Sequence, residues 1–103
     1  IYVPTDNIAA SNTEAIANVT VPAKTPVIAG EEGICKGCGV ATLSISYYDL
    51  GMTTGKMAAK ILTGEADIST MPIEFTTATP KYNASMCETL GITPLEGYTA
   101  IAE

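Results

Sequence analysis

The sequence predicts an α/β fold with a mainly parallel sheet and flanking helices. Two observations carry this. Short apolar runs rich in β-branched residues, each closed by glycine or turn residues, recur along the chain; strands buried on both faces read this way. Between them lie segments whose apolar residues follow helical spacing. Alternation of the two is the pattern of a parallel sheet joined by crossover helices. At 103 residues the chain is long enough for one small domain, and no internal repeat or low-complexity segment interrupts it.

The elements follow in order. "IYVPT" (1–5) is β-branched and aromatic and ends in a turn signal, so it reads as a strand. In "IAASNTEAIANV" Ser11 and Glu14 fit a capping box, Ile8, Ile16 and Val19 share a stripe, and Pro22 is the stop. "TPVIAG" (25–30) and "GVATLSIS" (39–46) are further strand runs. The strongest helix is 47–63, "YYDLGMTTGKMAAKILT", with Ser46 as N-cap and Gly64 just past its end. Its apolar stripe takes in Tyr47, Leu50, Met57, Ile61 and Leu62, and Asp49, Lys56 and Lys60 lie opposite. "MPIEF" (71–75) is expected as a short strand. Asn83 is placed as the cap of a last helix ending at Leu90, with Gly91 as stop. The tail from Ile92 gives no clear pattern. The expected order is β-α-β-β-α-β-α.

Composition removes several classes of function. The chain is 47% hydrophobic with a net charge of −6, and it contains neither Arg nor His. Nucleic-acid binding needs Lys and Arg against phosphates, so that partner is excluded. Histidine-based catalysis and histidine metal ligands are excluded too, and no nucleophile–base pair is evident, so no enzyme is expected and no cofactor is implied. No run is apolar enough to span a bilayer. No signal peptide is visible in "IYVPTDN", and a chain that opens inside a strand-like run reads as part of something longer.

The stretch "GEEGICKGCG" (30–39) holds a Cys-x-x-Cys and two adjacent acids. With Cys87 the chain offers three cysteines, one fewer than a structural zinc site takes. A redox pair would set its first cysteine at a helix N-terminus, and the surrounding glycines read as a flexible loop instead. Three readings stand for Cys35 and Cys38: an incidental or locally disulfide-bonded pair, a redox pair, or metal ligands. Cys87 reads as a small buried hydrophobe. Tyr47 is expected in a core and Tyr48 at the surface.

The acids are the better candidates for a site. Asp6-Asn7 and Glu31-Glu32 each fall just past the end of an expected parallel strand, which is where open α/β sheets bind ligands. Helix capping and solvated loop charge are the plain alternative. As a pair of acceptor-rich clusters at equivalent strand ends, they suit a small polar ligand such as an amino acid or a sugar.

"IYVPTDN", "PVIAGEEG", "VATLSISYYDLGMTTGKMAAKILTGEADISTMPIEF" and "LGITP" together resemble the C-terminal part of ABC-transporter substrate-binding lipoproteins of the tryptophan/tyrosine-binding type, within the type I periplasmic-binding-protein superfamily. The resemblance covers nearly the whole chain. It implies part of a two-lobed flytrap: 1–40 from the second lobe, 41–46 as a hinge crossover, and 47–103 from the first lobe with a C-terminal tail. It implies a small-molecule ligand, an aromatic amino acid favoured, ABC permease subunits as partners, and a place outside the bacterial cytoplasm, at the cell surface or in the periplasm. Position by position, the resemblance implies that Thr5-Asp6-Asn7 stands where sugar-binding relatives contact ligand with a strand-end Asn-Asp pair, and that Gly30-Glu31-Glu32 stands at their Gly-aromatic-Asp turn, with Glu32 the better match for the acid. Ser44 stands at the crossover contact. Ser46 replaces a common Asp, and the Cys-x-x-Cys lies outside the general pattern. Alone, such a chain would self-associate or pair with its missing N-terminal part. A ligand-sensing domain of a signalling protein would share all these features.

Overall fold

The computed structural model describes residues 1–102. It contains a five-stranded sheet in the order β1-β2-β3-β4-β5: β1 (Tyr2–Val3), β2 (Ile28–Ala29), β3 (Ala41–Ser44), β4 (Thr79–Tyr82) and β5 (Thr99–Ala100). The first three run parallel, β4 is antiparallel to β3, and β5 is parallel to β4. Five helices join them: α1 (Asn7–Ser11), α2 (Thr13–Thr20), α3 (Glu32–Cys38), α4 (Tyr47–Leu62) and α5 (Ala84–Leu90). The expectation of a mostly parallel α/β sheet therefore holds.

The chain divides into two compact units: Ile1–Ser44 together with 79–102, and Ile45–Ala78. The first holds the whole sheet. Its core is Val27, Ala29, Ile34, Cys35 and Cys38, with Val3, Ala9, Ile16, Ala17 and Ile101 packed against it. Registered neighbours Val3, Ala29 and Thr42 share a face of the sheet, and α1 to α3 supply the apolar groups that meet it. Where α3 meets α2, a Cβ on Gly37 would come within 2.4 Å of the Thr13 Cβ, so only glycine allows that approach. The second unit is α4 followed by a turn and an extended segment, and none of its residues is buried.

Four expectations are corrected. Residues 32–38 are a helix, not a glycine-rich loop. Two interior glycines disfavour a helix by about 1 kcal/mol each, but Ile34, Cys35 and Cys38 are driven fully into the core, and tertiary packing outweighs propensity in short helices. The first helical segment is capped by Asp6 and broken at Asn12, so Ser11 and Glu14 form no capping box; the Ser11 hydroxyl donates instead to Asn7 O at 2.8 Å. Residues 71–78 carry no regular structure, because β propensity forms a strand only where a neighbour pairs with it. The strand lies at Thr79–Tyr82, which Pro80 disguised. Finally, Tyr47 is not in a core: it is 59% exposed, against 76% for Tyr48.

The other ends are as read. Ser46 caps α4 through Asp49 N at 3.1 Å, and Gly64 follows with φ +79. Asn83 caps α5, and Gly91 ends it in the left-handed region.

Candidate functional site

Because β1, β2 and β3 are parallel, their C-terminal ends share one edge of the sheet. The chain leaves β1 through Pro4-Thr5-Asp6-Asn7, leaves β2 through Gly30-Glu31-Glu32, and leaves β3 at Ser44. The first two exits are clamped together. Gly30 N donates to Val3 O at 2.8 Å, and the Thr5 hydroxyl donates to Gly30 O at 3.2 Å. A Cβ on Gly30 would sit 2.6 Å from Thr5 N, so this position tolerates nothing larger than glycine.

Each candidate side chain has a defined place on this edge. Asp6 is the N-cap of α1, its Oδ1 accepting from Ala9 N at 2.8 Å. Asn7 is the first residue of that helix and is exposed. Glu31 is the N-cap of α3; its Oε2 accepts from Gly33 N at 2.9 Å and its Oε1 from Ile34 N. Glu32 makes an ion pair with Lys81 of β4, at 2.6 Å. Ser44 ends β3 opposite Thr79 and is buried. The plain reading of Asp6 and Glu31 as helix caps is therefore correct as far as it goes. Capping leaves acceptor capacity, since an ionised carboxylate has roughly four lone-pair sites. The result is an edge rich in oriented oxygen acceptors, with one lysine among them.

Lys81 is the residue that sequence reasoning missed. The signal was its place beside Pro80 in a run not recognised as a strand. Asn83 was recognised as a cap, but its second role was not. Its Nδ2 donates to Cys35 O at 3.1 Å and Lys36 O at 2.9 Å while its Oδ1 accepts from Met86 N, so it ties the end of α3 to the start of α5.

The cysteines do not form a reactive site. All three are free thiols and buried. Cys38 donates to Ile34 O at 3.4 Å and Cys87 to Val40 O at 3.5 Å. Burial, with the neighbouring Cys87, Cys38, Glu32 and Glu31, pushes the Cys35 thiol from 9.0 up to about 12, the opposite of what a redox nucleophile needs. Among the described residues, no group of three or more Cys, Asp or Glu could hold a metal ion.

Among the described residues, two hollows of the sheet-bearing unit lie away from the acids. One of about 300 Å³ is lined by residues including Lys36, Asn83, Ser85 and Ile101. The other, about 180 Å³ and apolar, is lined by residues including Val40, Tyr82, Cys87, Leu95 and Tyr98. No helix among the described residues is long and apolar enough to cross a membrane.

The profile of the ABC transporter substrate binding protein family matches residues 1–103. The chain belongs to this family. A tyrosine-binding protein of Clostridioides difficile (strain R20291) is 36% identical over 66 residues, 64% of this chain and 19% of that protein. The open, ligand-free structure of a Clostridium difficile substrate-binding protein with adhesive properties is 34% identical, with a TM-score of 0.77 over 97% of this chain and 35% of that one. A Streptococcus pneumoniae ABC domain in complex with L-Trp is 30% identical, with a TM-score of 0.80 over 98% of this chain and 36% of the other. The chain thus spans about a fifth of the curated relative's length and about a third of each solved one. The ABC substrate-binding family is one of binding proteins, not of enzymes.

Proposed function

We propose that this chain is the C-terminal part of an extracytoplasmic substrate-binding component of an ABC importer. It binds a small polar ligand without covalent chemistry, an amino acid and preferably an aromatic one, and hands it to the permease subunits. What supports this reading is the shared edge: Asp6, Asn7, Glu31, Glu32 and Ser44 lie at or just past the C-terminal ends of three parallel strands, the end of an α/β sheet at which ligands bind. The tyrosine-binding and L-Trp-bound relatives support the ligand class.

In this proposal the sheet-bearing unit, 1–44 with 79–102, belongs to one lobe, and Ile45–Ala78 belongs to the other. The proposed division differs from the expected 1–40, 41–46 and 47–103; it is supported by β4 and β5 pairing in the same sheet as β1 to β3, and in it the chain would cross twice, after Ser44 and after Ala78. Asp6, Glu31 and Glu32 receive the ligand's ammonium group, while Asn7 and Ser44 donate and accept at its polar flank. Contacts from both lobes favour the closed state, which is how a ligand shifts such an equilibrium. Anchoring by an N-terminal lipid belongs to the same proposal.

The test is a thermal-shift screen of the full-length protein against amino acids and sugars. Stabilisation by tyrosine or tryptophan, lost in Asp6→Ala and Glu32→Ala, is expected. A full-length protein stabilised by no aromatic amino acid would overturn the ligand class.

A further inference from the structure

Glu32 differs from the other carboxylates of the edge in what it meets. Asp6 and Glu31 accept backbone N–H groups of their own helices. Glu32 instead accepts from a side-chain cation carried 49 residues further along the chain, with Lys81 Nζ 2.6 Å from its Oε2. Among the described residues this is the one lysine–carboxylate ion pair. Lys81 is held by its strand: it stands opposite Thr42 of β3 and Thr99 of β5. The two side chains stay 31% and 37% exposed, so a molecule bound at the edge can reach both.

We infer that Lys81 sets the charge selectivity of this edge, favouring a zwitterion over a ligand that is only cationic. The inference rests on the ligand-binding reading above and names a determinant of its specificity. Three carboxylates on one edge would attract any ammonium. With Lys81 present, one of those charges is already neutralised, and an incoming ammonium must share Glu32 with a resident one. The same lysine offers a donor to a ligand carboxylate. A zwitterion therefore exchanges one ion pair for two complementary contacts, while a simple amine competes with Lys81 for Glu32 and brings the lysine no carboxylate in return.

Three forms of the full-length protein decide this: wild type, Lys81→Met and Lys81→Arg, with Lys81→Gln as a second neutral variant should the methionine form fail to fold. Calorimetric titration uses paired probes that differ only in the carboxylate, tryptophan with tryptamine and tyrosine with tyramine. The preference for amino acid over amine should fall by about tenfold in the neutral variants, the scale of one charge contact at a half-exposed site, and return in Lys81→Arg. A merely structural role would weaken both members of a pair alike, so an unchanged ratio in a folded neutral variant overturns the inference while leaving the ligand class standing. A wild type that binds neither tryptophan nor tyrosine overturns the ligand class, and this inference with it.

Discussion

Helices α3 and α4 invert what local sequence would suggest. α3 is seven residues long with two interior glycines, yet Ile34, Cys35 and Cys38 are buried within it. α4 has sixteen residues, a serine cap, an amphipathic stripe and lysines on its polar side, yet buries nothing. Leu62 of that helix is 86% exposed, whereas Ile34 of α3 is fully enclosed. The difference teaches that an apolar stripe states what a helix is able to cover, and only packing decides its worth.

The largest test of this contrast is a pair of truncations. Ile34→Ala should cost about 2–5 kcal/mol, as large-to-small changes in cores do. Leu62→Ala should stay within about 0.5 kcal/mol, as surface changes do. Urea unfolding monitored by circular dichroism measures both in this chain, and similar losses at the two positions would erase the contrast. Next in size is Asn83→Ala, which removes two donors from the carbonyls of Cys35 and Lys36 as well as the α5 cap. A loss of about 2–3 kcal/mol is expected, since buried acceptors are left unsatisfied.

How much of this was legible depended on whether the signal was local. The caps at Ser46 and Asn83 and the stop at Gly91 were read correctly because each is settled within one turn of chain. The positions of Asp6 and Glu31 past their strand ends were read correctly for the same reason. The α3 helix was hidden because its stability comes from the sheet and from α2, not from residues 32–38 themselves. The Glu32–Lys81 pair was hidden because its partners are far apart in sequence and meet only once β4 pairs with β3. "MPIEF" misled in the other direction: it has strand composition but no paired neighbour among the described residues.

Buried thiols give the sheet-bearing unit a pH signature of its own. Burial raises the folded Cys35 thiol from 9.0 to about 12, and Cys38 and Cys87 shift the same way for the same reason. The unfolded chain ionises more readily, so this contribution to stability is intact below pH 9 and is lost as pH rises from 9 towards 12. Unfolding midpoints measured between pH 7 and 11 should therefore fall on the alkaline side, and less steeply in Cys35→Ala. At pH 8 the native thiols should react far more slowly with a disulfide reagent than those of the urea-unfolded chain. Equal rates would mean that α3 opens freely.

The smallest effect belongs to the other unit and has a different cause. Asp67 lies at the surface, where burial contributes little; the Ser69 hydroxyl and Ser69 N–H, both donating to its Oδ1 at 2.7 and 2.8 Å, hold its carboxyl below the ordinary 3.8. The sign is opposite to that of the thiols. The stabilising contribution is present above pH 3.8 and disappears as pH falls through the lowered value, because protonation discards an acceptor that both donors need. A carboxyl-carbon NMR titration should place Asp67 below an unperturbed aspartate, and Ser69→Ala should return it most of the way, since the hydroxyl is the larger cause. An Asp67 that already titrates at the ordinary value in wild type would show the turn after α4 to be open in solution. The contrast would then sharpen: shifts made by burial would persist in the sheet-bearing unit, and those made by surface hydrogen bonds in 45–78 would not.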